Sequence, residues 1–256
     1  MNALAQALSG DVFAALLVFA RVGSAVMLLP GFGELFVPPR MRLLLAGAIA
    51  LLIAPAVSGR LPPLPPTALE LMVLLGGEIA IGLFLGTLAR ILLAALHVAG
   101  GVVGVQSSLS SALMFDPASS TQNTLHSGFF YLLGIMVIFA ADLHHPMLMA
   151  VAQSYSLFTP GAPLATGDFS ELGVRYVSQS FALAMQIAAP YIVVGIVFYV
   201  GLGLIARLMP QVQVFFIALP LQIAVSVFLM VFTLAAGIGW FMNSFESAIG
   251  GFIITR

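Results

Sequence analysis

The sequence predicts an all-α, integral membrane-type protein of helical hairpins, with about six long apolar helices, some of them bent or broken. Three observations carry that expectation. Only 7% of the residues are charged, none of them Lys, while 61% are apolar; a soluble domain has roughly a quarter charged and about half apolar residues. Apolar runs at 12–29, 41–57, 68–105, 129–141, 181–209 and 212–241 are mostly long enough to cross the hydrocarbon layer, about 30 Å or about 20 helical residues. None of these runs alternates apolar with polar residues, as the strands of a transmembrane barrel do.

Composition also excludes. A net charge of -1 offers no basic patch for nucleic acid. The lack of Cys removes any thiolate zinc site. The opening MNALAQALSGDVF has no basic residue before the first apolar run and no small-residue cleavage site after it, so the first helix is expected to stay.

In chain order, the first two runs flank the VPPRMR segment, and the next boundary is the stiff linker of Pro62, Pro63, Pro65 and Pro66. Thr67 with Glu70 three residues later forms a capping box, so a helix begins at about Ala68. The run at 68–105 is too long for one crossing at about 1.5 Å per residue, and Gly100, Gly101 and Gly104 are where a break is expected. A loop with Pro160, Gly161, Pro163 and Gly167 divides the chain, after which Asp168 and Glu171 repeat the capping pattern. The last two runs flank Pro210 and Gln211, a turn short enough to make them antiparallel, and Pro190 and Pro220 inside them predict bends. Counting six crossings, Arg40, Arg42, Arg90 and Arg207 share one side, which the positive-inside rule makes cytoplasmic; Arg60, Arg175 and Arg256 fall on the other.

Charges inside greasy runs mark the residues to watch. Arg21, Glu78 and Arg90 would each cost at least about 2.5–3.5 kcal/mol facing lipid, so intersubunit or interhelical partners are expected for them. Glu78, Gly82, Gly86 and Arg90 recur every four residues as a stripe on one helix face, where small residues allow a second helix close approach. The alternative for Glu78 and Arg90 is snorkelling from the ends of a tilted helix.

The 106–122 stretch carries Ser107, Ser108, Ser110, Ser111, Ser119 and Ser120 with Asp116 and Pro117. Backbone of that kind at membrane depth needs protein or water around it. No base lies near these serines, and neither a nucleophile elbow nor a phosphate loop is present, so no catalytic residue is assigned and no cofactor is expected. Asp142, His144 and His145 match no compact metal motif; a local turn is expected there, with Pro146 ending the preceding helix, and no metal. His97 and His126 are expected to be packed or interfacial.

FVPPRMRLLLAGAIALLIAP, GGEIAIGLFLG, GVQSSLSSALMFDPAS, FFYLLGIMVIFAADLHHPML and LIARLMPQVQVFFIALPLQI, in this order, resemble the FliR family, inner-membrane components of the flagellar type III export gate. The resemblance covers about 13–240, and VPPRMR, FDPAS and MPQ are its most specific parts. The family pattern would place Gly where Leu143 stands.

The resemblance implies one copy of this subunit joined to copies of FliP and FliQ in a helical pore-forming assembly, with FlhB and FlhA as further partners and unfolded export substrates in transit. It implies a FliP-like part at 1–167 and a FliQ-like hairpin at 168–256, in the bacterial inner membrane and the flagellar basal body, in contact with membrane lipids. It also places a plug at 106–122: Gln106, Ser107, Ser108, Ser110, Ser111 and Asp116, with Leu109, Leu113, Met114 and Phe115 supplying an apolar seal. An equivalent subunit of a virulence injectisome would share this topology. A small-solute transporter is the rival reading, although the Ser-rich break has no counterpart in the second half. A scaffold without pore contact is a third.

Overall fold

The structure, a computed structural model, describes residues 2–108, 125–162, 166–209 and 214–252. Among them every regular element is helical: α1 (Asn2–Val26), α2 (Pro39–Val57) with a short 3-10 turn (Ser58–Arg60), α3 (Ala68–Gln106), α4 (Leu125–Ala140), α5 (His144–Leu157), α6 (Thr166–Leu208) and α7 (Val214–Gly250). Among the described residues four stretches are long and apolar enough to cross a membrane: Pro39–Arg60, Ala68–Gln106, Gly167–Leu208 and Ala218–Gly250. The pair α4 and α5, bent by 77°, makes a fifth if it is one span. This is a multi-pass membrane architecture, with slightly fewer spans than the six apolar runs suggest. The helix α1 ends at Val26 and the chain continues in turns, with Phe32 and Gly33 N–H donating to the Leu29 carbonyl.

The chain divides into two compact units. The first comprises Met1–Ile91, Phe139–Tyr176 and Glu246–Arg256. In it α1 and α3 run parallel: Phe13 and Leu17 pack with Leu74, Arg21 meets Glu78, and Ala25 and Leu28 lie against Gly86. The entry to α2 is braced by Arg42, whose Nε donates to the Val37 carbonyl at 3.0 Å and Nη2 to the Glu34 carbonyl at 2.9 Å. Pro39 starts this helix, where its missing N–H costs nothing. Thr67 caps α3, its Oγ1 accepting from Glu70 N–H at 3.3 Å.

The second unit comprises Leu92–Ile138 and Val177–Phe245. Here α3 and α4 are antiparallel, with Leu93 and Leu96 on Gly134, His97 edge-on to Tyr131, and Gly100 against His126 and Ser127. The contacts of α6 with α7 step down one helix as they step up the other: Ile187 with Gly237, Tyr191 with Thr233, Tyr199 with Gln222. These two helices therefore form an antiparallel hairpin. Its predicted turn, Pro210 and Gln211, lies outside the described residues, and both helices continue through Pro190 and Pro220.

Three local expectations are corrected. The helix α3 does not break at Gly100, Gly101 or Gly104 but runs 39 residues to Gln106; the glycine at 100 serves close packing instead. Pro146 does not end α4, which stops at Ala140, but lies in the first turn of α5. Asp168 sits inside the first turn of α6 rather than before it.

Leu143 also needs no glycine. Its φ of -66° is ordinary and its side chain is buried, while Asp142 takes the left-handed turn conformation at φ 57°, which Asp tolerates better than most residues.

A Cβ at Gly100 would lie 2.5 Å from the His126 carbonyl oxygen and 2.7 Å from Ser127 Cα. Gly100→Ala is therefore expected to destabilise by about 1–3 kcal/mol, read as a lower thermal midpoint of the detergent-solubilised protein. Gly128→Ala, whose Cβ would meet nothing within 4 Å, is the matched control and should not lower it.

Candidate functional site

The first unit is organised around Arg21, wholly buried in α1. Its guanidinium forms a two-pronged pair with Glu78 of α3: Nε to Oε2 at 2.6 Å and Nη2 to Oε1 at 2.9 Å. Nη2 also donates to the Phe158 carbonyl at 2.9 Å, and Nη1 to Ser154 Oγ at 3.1 Å. The guanidinium carbon lies 3.9 Å from the centre of the Tyr155 ring. A planar fork suits this arrangement and a lysine would not, because both carboxylate oxygens, a hydroxyl, a carbonyl and an aromatic face are engaged by one cation.

The glycine stripe explains how α1 comes so near. A Cβ at Gly82 would collide with the Arg21 carbonyl and Ser24 Oγ, and one at Gly86 with Leu28 and Ala25. Three members of the stripe thus face α1. Arg90 does not join them: it is half-buried and makes no hydrogen bond or ion pair with a described residue. Beside the hub, Pro62, Pro65, Leu69, Val73, Gly77 and Glu78 help line an open, largely apolar cavity of about 850 Å³.

A second polar centre lies in the second unit, where α3 ends. Gln222 of α7, 5% exposed, donates from Nε2 to the Gln106 carbonyl at 2.6 Å and to Tyr199 OH at 3.2 Å. Its Oε1 accepts from Ser108 Oγ at 2.7 Å. Ser107 Oγ turns back to the Gly104 carbonyl at 3.0 Å, and Ser108 has a φ of 56°. Of the predicted plug residues, Gln106, Ser107 and Ser108 are thereby placed; Leu109, Ser110, Ser111, Leu113, Met114, Phe115 and Asp116 lie outside the described residues.

The remaining candidates are accounted for locally. Ligand atoms of Asp142, His144 and His145 lie within 4.8 Å of one another. Asp142 and His145 are exposed and 3.8 Å apart, and the His144 ring stacks on Phe139 at 4.9 Å. His126 is buried in the α3–α4 contact.

Sequence reasoning overlooked Ser154, Tyr155 and Gln222. The first two carry no signal, since hydroxyls in a mixed helix are ordinary. Gln222 does carry one, as a lone amide between Leu221 and Ile223 in an apolar run.

The described residues make a multi-pass helical membrane protein with a closed ionic hub, and the comparisons specify its family. The model of the bacterial export proteins, family 1, matches residues 12–248. The chain belongs to that family, which is the family of the flagellar biosynthetic protein FliR.

It is 38% identical over 235 residues to flagellar biosynthetic protein FliR of Caulobacter vibrioides, covering 92% of this chain and 93% of that one. It is 30% identical over 212 residues to FliR of Escherichia coli, covering 82% and 80%. With Yop proteins translocation protein T of Yersinia pestis it shares 29% identity over 218 residues, covering 80% and 83%.

Removing one partner of a buried pair leaves the other charge uncompensated, at about 3–5 kcal/mol. Arg21→Met should therefore lower the thermal midpoint and the steady-state level of the protein sharply. The double variant Arg21→Met with Glu78→Met should recover much of the loss, and Arg21→Lys only a small part.

Proposed function

We propose that this chain is a non-enzymatic, structural subunit of a flagellar type III protein export gate in the bacterial inner membrane. In this reading it assembles with FliP and FliQ, is joined by FlhB and FlhA, and lines a channel through which unfolded substrates pass. The observation that carries the proposal is the end-to-end match with a flagellar FliR, 38% identity over more than nine tenths of both chains. The match to Yop proteins translocation protein T supports the wider type III assignment, with the injectisome as the second reading.

The physical arrangement suits a subunit that has neighbours. Its strongest charges are neutralised within the chain, while large apolar side chains such as Leu52, Phe228 and Phe232 are exposed, available to sister helices as well as to lipid. Arg90 is left for a carboxylate of a neighbouring subunit. In this reading 1–167 takes a FliP-like place and 168–256 a FliQ-like one.

The 106–122 stretch is proposed as the plug. Small serine side chains allow close packing when shut and hydration when open, and Leu109, Leu113, Met114 and Phe115 supply an apolar constriction that gates by dewetting. The energy for export comes from other components, since no phosphate-binding motif is present in the sequence.

Two outcomes test this. Co-expression with FliP and FliQ should yield a stable mixed complex, and the chain should restore motility to a flagellated bacterium lacking its own FliR; rescue of an injectisome alone would move it to the other branch. Deleting 110–115 should raise ion leakage severalfold in cells carrying the assembled gate, whereas unchanged conductance would remove the plug assignment.

A further inference from the structure

An α-helix leaves its last carbonyls without donors of its own, and they must find partners elsewhere. At the end of α3 the carbonyls of Val103, Gly104 and Val105 accept from Ser107 and Ser108, whereas that of Gln106, the helix's last residue, accepts from the side-chain amide of Gln222 at 2.6 Å. The same amide holds Ser108 through its oxygen at 2.7 Å and Tyr199 through its nitrogen at 3.2 Å. Both hydrogens and the oxygen of a nearly buried amide are thus engaged, and such a group is costly to bury unless it is satisfied.

Two further features fit the same contact. Gly195 of α6 stands where any Cβ would strike the Gln106 side chain, so a smooth patch of hairpin backbone receives that residue. Ser108 holds a φ of 56°, which non-glycine residues seldom adopt unless the surroundings hold them there.

We propose that Gln222 is a positioning residue that caps α3 from the C-terminal hairpin and sets the direction in which the chain enters the polar 106–122 stretch. The cap ties that entry to α7, so that a shift of α7 is passed to the stretch through one amide. The consequence for conductance rests on the plug assignment above; the cap itself does not.

The test uses the full chain co-expressed and purified with its partner subunits, comparing wild type with Gln222→Met, which keeps bulk and removes all three hydrogen bonds. Backbone hydrogen exchange in a peptide covering 104–108 should become about tenfold faster, while exchange around Arg21 in the first unit stays as it was. Ser108→Ala removes one of the three amide bonds and the 3.4 Å hydroxyl contact with Tyr199, should give about a threefold change, and stands in if Gln222→Met does not assemble. Unchanged exchange at 104–108, or an acceleration spread evenly over the protein, overturns the proposal.

Ion leakage then separates the two readings. If Gln222→Met speeds local exchange but the 110–115 deletion does not leak, the plug assignment falls and the cap stands. If the deletion leaks while Gln222→Met alters neither exchange nor leakage, the cap falls and the plug stands. Faster exchange in a Gln222→Met gate that stays tight, where the deletion leaks, overturns the link between cap and conductance.

Discussion

The fold of the first unit depends on one constraint: a guanidinium embedded in apolar helices must be neutralised and hydrogen-bonded where it lies. Arg21 meets that demand by drawing in the Glu78 carboxylate, Ser154, the Phe158 carbonyl and the Tyr155 ring. The geometry of the pair fixes how near α1 must come to α3, and that nearness is why residues 82 and 86 are glycine. Apolar burial such as that of Phe13 and Leu17 would tolerate many registers between smooth helices. The two-pronged pair tolerates one.

Polar groups elsewhere obey the same rule at lower charge. Gln222 is satisfied by three partners, Tyr191 OH lies 3.0 Å from Thr233 Oγ1, and Tyr176 OH donates to the Ala248 carbonyl at 2.8 Å. Each contact pins one register of the α6–α7 pairing, in which the surrounding Val, Leu and Ile side chains are nearly interchangeable. Specificity in these greasy helices therefore resides in few atoms. The exposed apolar faces carry the opposite kind of information: they are broad, unspecific, and suited to lateral assembly.

Much of this was legible in the sequence because it follows from composition and breaker residues. The helical class, the Thr67 cap and the need for partners at Arg21 and Glu78 all come from local chemistry. What escaped the sequence depends on contacts between distant segments. Glycines at 100, 101 and 104 look like a weak point in isolation, yet Gly100 is where α4 backbone presses closely, and that packing sustains the helix through the site of the expected break. A proline at 146 reads equally as the end of one helix or the first turn of the next. The turn at Asp142 shows the same limit: Asp142 takes the left-handed conformation, and Leu143, where Gly is expected, packs its side chain in the core. At the candidate plug, only the anchoring residues Gln106, Ser107 and Ser108 are described, and what holds them, Gln222, lies 116 residues from Gln106 along the chain.

The wide spacing of the hub residues has a consequence for biosynthesis. Glu78 follows Arg21 by 57 positions and Ser154 by 133, so a chain made from its N-terminus offers the bilayer a bare cation long before the counter-charge exists. During that interval α1 is a poor candidate for permanent insertion, since an unmatched arginine in hydrocarbon is penalised. Its definitive placement is thus expected only once the third helix has emerged, so that the first helix settles no earlier than the third.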